Sequence, residues 1–351
     1  MIPQKEEPGD GHIARLSEPP DQRDSASMKP DRAENVQRRP RQLFESLVGA
    51  EEIHDQFVVP HLLVRGGMTL FVAEQDFGKS ILSTHIGARL TRGEDPFDFG
   101  GGLEGPGTVL YLACEDDDPR VRFLGRWRAY HGDERRMGYQ HRLLRFPADA
   151  ARLSEGIERF EQDQSRKADL VVIDPVLAYT SGGDSNSTSD VRAALDPLQA
   201  VASEHRVALL AVAHPRKGLD TRPTGNLLDE AMGSAAWTHV ARVVLFGLRN
   251  PEDRGERWIS LQKVKTLGDE DRFGMTFRFA PSVAGIPHIE WGPRLDRPVQ
   301  ELRRDFAEDA APSSRDTTRA RAAGYLEGIA AMRGELRRAD LESARHRYGL
   351  S

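Results

Sequence analysis

A doubly wound α/β fold, built on a mostly parallel twisted sheet with antiparallel strands at one edge, is predicted by three features of the sequence. Five short, nearly continuous apolar runs recur between residues 68 and 248, as expected of strands buried on both faces. Amphipathic stretches of helical length lie between them, the alternation that βαβ units require. The chemically active residues that interrupt this pattern sit where the apolar runs end, at the edge where open α/β sheets hold ligands.

The 351 residues divide by composition. Residues 1–41 carry prolines and alternating charges with almost no apolar periodicity, so they are expected to be a disordered tail. A folded domain is expected over 42–298, entered through a short helix, "RQLFESLVGAEEI". Its strands are "MTLFVA" (68–73), "GTVLYLAC" (107–114), "ADLVVIDP" (168–175), "VALLAVAH" (207–214) and "ARVVLFGL" (241–248). The helical stretches between them are "SILSTHIGARLTRG", "DPRVRFLGRWRAYHG", "ARLSEGIERFEQDQ" and "DVRAALDPLQAVASEH". "RWISLQKVKT" and "RFGMTFRFA" then read as the antiparallel edge strands. Residues 299–318 are charged and read as a linker, and 319–351 as a helical segment. From Ser313 to the end there are eight arginines against five acids. That segment suits the start of a helix-turn-helix or a helical pair docking on a neighbouring subunit.

Bulk properties narrow the class. A net charge of −6 excludes a molecule that attracts nucleic acid as a whole, so any such contact must use a local basic surface. The single cysteine, Cys114, excludes an internal disulfide and fits a reducing compartment. No apolar run approaches the roughly 18 residues of a membrane span, and the N-terminus has no signal-peptide pattern. A cytoplasmic protein without membrane contact is expected.

The strand "MTLFVA" runs into "EQDFGKSI", which ends as a phosphate-binding P-loop ends but opens on Ala73 where the pattern G-x-x-x-x-G-K-[ST] has glycine. In such a strand–loop–helix turn, residues Ala73, Glu74, Gln75, Asp76, Phe77, Gly78, Lys79, Ser80 and Ile81 would wrap the phosphates. Backbone N–H groups and the helix N-terminus face the anion, Lys79 neutralises the β/γ oxygens of ATP, and the Ser80 hydroxyl reaches Mg²⁺. Alanine tolerates the turn if its φ stays negative. Its presence is expected to weaken nucleotide binding, and a carboxylate at Asp76 is repulsive unless it faces outward. Three further strand ends carry polar groups. Asp174 ends "LVVID", where a metal-side carboxylate belongs. Glu115 follows "YLAC", where a general base could sit, although the Glu115–Asp118 run would serve equally as a solvated acidic loop or a helix cap. His214 ends "VALLAVAH".

Together these segments resemble the RecA-like ATPases of the replicative-helicase type, and most of all the RepA-like hexameric helicases of plasmids and phages. The resemblance runs from about Leu62 to Trp291 through "FGKS", "YLACEDDDPRVRFLGR", "LVVIDPVLAYTSGGDSNSTSDVRAALDPLQAVA", "LLAVAHPRKG" and "GSAAWTHVARVVLFGL". It implies Lys79 and Ser80 as the P-loop lysine and metal-side hydroxyl, Glu115 as catalytic base, Asp174 as the Walker B acid and His214 as a γ-phosphate sensor. It also implies Arg242 as an arginine finger acting across a subunit interface, and Lys263 and Lys265 as a pair reaching toward the neighbour's nucleotide. Read alone, Arg242 suits a salt-bridged surface residue, and the lysines suit a solvated strand edge. The loops 178–190 and 215–231 would line a central channel, with Arg216, Lys217 and Arg222 meeting single-stranded DNA through its phosphates. Otherwise both are ordinary surface loops.

The expected activity is an ATP-hydrolysing, ring-forming helicase or translocase in the replication of a mobile element. Its homo-oligomer would be hexameric, with a primase or initiator as a partner class. A nucleotide-gated assembly or loading ATPase without unwinding is the alternative.

Overall fold

In the computed structural model the described residues are 56–98, 104–114, 118–140, 142–180, 182–184, 186–215, 234–250, 253–264, 272–281, 285–295 and parts of 322–348. The chain divides into units of 1–53 and 54–351, and the first lies wholly outside the described residues. The expected tail and entry helix therefore lie outside them, and the expected linker, 299–318, does too. So do Glu115, Arg216, Lys217, Arg222 and Lys265.

A short antiparallel pair, β1 (Phe57–Val59) and β2 (Leu63–Val64), leads into β3 (Met68–Ala73) and helix α1 (Lys79–Leu90). Next come β4 (Val109–Ala113), α2 (Phe123–Ala129), β5 (Met137–Gln140), α3 (Ala150–Gln164) and β6 (Leu170–Asp174). The chain continues through α4 (Thr188–His205), β7 (Ala208–Ala213), α5 (Ala235–Val240) and β8 (Val243–Arg249). Strands β9 (Glu256–Val264), β10 (Gly274–Ala280) and β11 (His288–Leu295) complete the sheet, and a helix, α6 (Arg338–Tyr348), lies in the C-terminal segment.

The nine-stranded sheet has the order β11-β10-β9-β8-β3-β7-β6-β4-β5. Pairing from β8 through β5 is parallel, and β9, β10 and β11 extend the sheet antiparallel from β8. The α/β class, the parallel core and the antiparallel edge are those the sequence predicts. The apolar runs are continuous because helices cover both faces. On β3, Met68, Leu70 and Val72 pack with α3, α4 and α5, while Phe71 and Ala73 face α1 and α2. The same alternation on β6 sends Val171 and Ile173 to one layer and Leu170 and Val172 to the other. Asp174, two residues beyond Val172, emerges on the α1 side.

Three elements are not announced by the sequence. The β1–β2 pair and β5 are too short for a pattern, and β5 ("MGYQ") is only half buried at the sheet edge. Strand β11 is the other edge; its polar positions are exposed and it contains Pro293, as edge strands tolerate. Helix α2 begins only at Phe123, later than the amphipathic stretch suggests, because Asp118–Arg122 forms turns instead.

Candidate phosphate-binding site

The ends of β3, β6 and β7 are adjacent in the sheet, so Ala73, Asp174 and His214 come to one edge. The loop after Ala73 turns sharply. Asp76 (φ 59) and Gly78 (φ 96) both adopt left-handed backbone, and Gly78 is the N-cap of α1 without any side-chain cap. No acidic residue occupies the first turn of α1, which leaves the positive end of the helix suited to an anion. Glycine is required at 78 on two counts. An L side chain is strained at that φ, and a Cβ there would stand 2.4 Å from Phe279 Cζ.

The loop is anchored from below and from outside. Phe77 is fully buried, edge-on to Phe71 (5.9 Å between centroids) and to Phe277 (5.6 Å). Its side chain therefore fixes the loop, and what the residue can offer a phosphate is backbone. Asp76 is exposed, and its carbonyl accepts a hydrogen bond from Arg249 Nη2 at 2.8 Å. The Phe77 carbonyl accepts from Arg257 Nε at 2.9 Å, and the Arg257 guanidinium lies 4.3 Å over the Phe279 ring. Partial burial, reinforced by the nearby Arg249 charge, lowers the pKa of Arg257. These two arginines, with Phe279, are site-shaping residues that sequence reasoning missed. They lie on β8, β9 and β10, and only the strand pairing brings them to the loop.

Ala73 belongs to a regular strand and keeps a negative φ, so the turn that would have needed the missing glycine begins after it. Its register partner on β8 is Gly247.

Lys79 is buried at the start of α1. Its Nζ donates to the carbonyls of Ala73 (2.9 Å) and Glu74 (2.6 Å) and lies 3.0 Å from His214 Nδ1. With Lys79 as an ammonium, Nδ1 is the acceptor and the ring proton resides on Nε2. The Ser80 carbonyl accepts from Thr84 Oγ1 at 2.6 Å, which locks the first turn beneath its hydroxyl. Asp174 is buried. Its Oδ2 is 3.2 Å from Ser83 Oγ and 3.2 Å from Tyr111 OH, and those two hydroxyls also contact each other closely. Burial first, and the Asp174 charge second, push the Tyr111 phenol far above its ordinary pKa, so it remains a proton donor. The Ser80 hydroxyl and the Asp174 carboxylate are hard oxygen donors of the kind Mg²⁺ takes beside phosphates, and the N–H groups at the start of α1 suit the phosphate itself.

Arg242 and Lys263 are elsewhere. Arg242 precedes β8, and its backbone N–H bonds Met68 O at the opposite end of β3 from Lys79. At roughly 3.3 Å per residue, the five steps from Met68 to Ala73 cover about 16 Å. Lys263 pairs in register with Val244 and donates to the carbonyls of Thr238 (2.5 Å) and Ala241 (3.0 Å), closing the C-terminus of α5. The structure thus gathers Lys79, Ser80, Asp174 and His214 and leaves Arg242 and Lys263 toward the other end of the sheet.

No curated protein matches the sequence. Among solved structures, the chain is similar to that of a DnaB-like replicative helicase, described with its interactions with primase. The identity is 12% and the TM-score 0.45, covering 63% of this chain and 57% of that one. The chain therefore spans a little over half the length of that protein. A family model described as an AAA domain (AAA_25) matches residues 33–220. Since that match takes in more than half of the sequence, phosphate loop and Asp174 included, the chain belongs to the AAA domain family.

Proposed function

We propose that the chain is an ATP-hydrolysing motor of the RepA-like type, a helicase or translocase that forms a ring, hexameric in that group, on single-stranded DNA. The observation that carries this reading is the separation of Lys79 and Arg242 at opposite ends of one sheet. If both serve one nucleotide, they must come from neighbouring copies joined head to tail, and such an interface closes into a ring when its rotation permits.

In this reading Lys79 meets the β/γ-phosphate oxygens, and Ser80 and Asp174 hold Mg²⁺. Bound there, the ion would neutralise charge on the phosphate oxygens. Water attacks the γ-phosphorus, the bond to the ADP oxygen breaks, and Glu115 accepts the water proton. Arg242 of the neighbouring copy stabilises the charge that develops on the γ-phosphoryl group. Lys79 has three acceptors within hydrogen-bond distance. Engaging a phosphate means giving one up, and His214 is the one that is neither backbone nor part of the loop. His214 stands directly before residues 215–231, so this contact is where the phosphate site would be coupled to that segment. Arg216, Lys217 and Arg222 are assigned there to DNA phosphates. Lys265 is assigned to reach toward the neighbour's nucleotide; Lys263, expected beside it in that role, would have to leave the carbonyls of Thr238 and Ala241 to do so. Replication of a mobile element, with a primase or initiator as partner, is the setting this type of motor implies.

ATP hydrolysis measured with and without single-stranded DNA, alongside strand displacement on a forked duplex, tests the reading. DNA-stimulated turnover with unwinding, lost in Glu115→Gln, is the expected result. Turnover stimulated by DNA without unwinding would leave a nucleotide-gated loading ATPase. No ATP turnover under any condition would remove the motor altogether.

A further inference from the structure

The buried contact among Ser83, Tyr111 and Asp174 has no part in the chemistry described so far, yet it joins three elements of the site. Ser83 comes from α1, one turn after Ser80; Tyr111 comes from β4, the strand that leads toward Glu115; Asp174 ends β6. Ser83 and Tyr111 are buried with Asp174, and both hydroxyls reach the same carboxylate oxygen, Oδ2.

Counting protons limits what this cluster can be. Two hydroxyls supply two protons for four close contacts: Ser83 with Tyr111, with Asp174 and with the Ser80 carbonyl (3.3 Å), and Tyr111 with Asp174. If Ser83 donates to Tyr111, Tyr111 donates to Asp174; if Tyr111 donates to Ser83, Ser83 can donate to Asp174 or to Ser80 O; if Tyr111 donates directly to Asp174, Ser83 can do so as well. All of these arrangements but the one that sends Ser83 to Ser80 O place at least one charge-assisted hydrogen bond on Oδ2. The tyrosine ring cannot swing away to relax it. The ring packs 4.7 Å from Phe123 and lies parallel to Tyr139 at 6.1 Å.

We infer that Tyr111 and Ser83 are positioning residues for Asp174, fixing the rotation of its carboxylate by holding Oδ2 inward from α1 and β4. The inference rests on the reading of Asp174 as the metal-side acid of the ATPase. Its consequence is specific. Removing either hydroxyl loosens the orientation of one metal-side group without touching the backbone N–H groups or Lys79, which bind phosphate directly. Loss of such supporting hydrogen bonds typically costs about ten- to a hundredfold in metal affinity.

The test is ADP binding to the full chain by calorimetry, with Mg²⁺ and with EDTA, for the native protein, Tyr111→Phe and Ser83→Ala. Electron paramagnetic resonance of Mn²⁺ in the ADP complex would report the metal directly. Each variant is expected to lower the metal-dependent gain in ADP affinity about tenfold and to leave affinity in EDTA within about twofold. Far-UV circular dichroism verifies folding, and if Tyr111→Phe does not fold, Ser83→Ala decides. An unchanged metal-dependent gain in a folded variant overturns the inference. So does an equal loss with and without metal, which would mean general loosening. Absence of metal-dependent ADP binding in the native protein would instead remove the ATPase reading, and this inference with it.

Discussion

The methyl group of Ala73 occupies space that its register partner Gly247 leaves open. A Cβ built on Gly247 would lie 2.6 Å from Ala73 Cβ and 2.7 Å from Phe77 Cζ. Alanine at the opening of the phosphate loop and glycine on the neighbouring strand are thus two halves of one packing solution. Gly247→Ala is expected to destabilise by about 1–3 kcal/mol through overpacking. Ala73→Gly in the same chain should recover part of that loss, and a thermal-denaturation double-mutant cycle measures the coupling.

The single variant Ala73→Gly follows from the same contact. Because Ala73 already keeps strand geometry, a glycine there frees no turn that nucleotide binding needs. We expect stability to fall by about 0.5–1 kcal/mol, the usual cost of glycine within a strand, with ADP affinity unchanged. A tighter complex by calorimetry would show instead that the native alanine limits binding.

Mixing variants tests the interface. Arg242→Ala and Lys79→Met should each abolish turnover alone, since each removes one half of every site. Mixed in equal amounts, they should regain roughly a quarter of native activity, because random head-to-tail assembly rebuilds that share of interfaces with both groups intact. Steady-state ATP hydrolysis reads this out. No recovery after dissociation and reassembly of the mixture would show that the two residues do not serve one nucleotide in trans.

Acid sensitivity should centre on His85. It is buried on α1 in ring contact with Tyr130 (5.1 Å between centroids), and burial first, then the Arg89 charge, lower its pKa to about 3. The Pro96 backbone works the other way, and His288 and Arg92 add smaller lowering contributions. In the unfolded chain this histidine takes up a proton near pH 6.5. Between pH 6.5 and about 3 the unfolded state therefore binds more protons than the folded one. The stabilisation is full above pH 6.5 and falls with pH through that window, by up to about 1.4 kcal/mol per pH unit. Urea denaturation of His85→Phe at pH 7, 5 and 4 should show a shallower decline than the native protein.

Much of this arrangement was legible in the sequence because its cause is local. A strand covered on both faces must be apolar throughout, so "LVVID" shows both its burial and the point at which Asp174 leaves it. Lys79, Ser80 and His214 were found the same way, each beside the end of such a run. What escaped depends on register. Nothing near "EQDF" announces Arg249, Arg257 or Phe279, since only the β3–β8–β9–β10 pairing brings them there. The one available signal was Phe77 itself, a lone aromatic in a polar loop, which has reason to be there if it anchors the loop. Likewise Tyr111 looks like an ordinary core aromatic until the pairing of β4 with β6 sets Ala113 opposite Asp174.

The hold of Arg249 and Arg257 on the loop bears on how the protein can be divided. The family match ends at residue 220, yet Gly247, Arg249, Arg257 and Phe279 all lie beyond it. A fragment cut at that boundary would keep every residue of the phosphate motif and lose the groups that give the loop its shape. The smallest piece able to carry a formed loop must therefore extend through Ala280, and the antiparallel strands are part of the loop's architecture rather than an accessory to it.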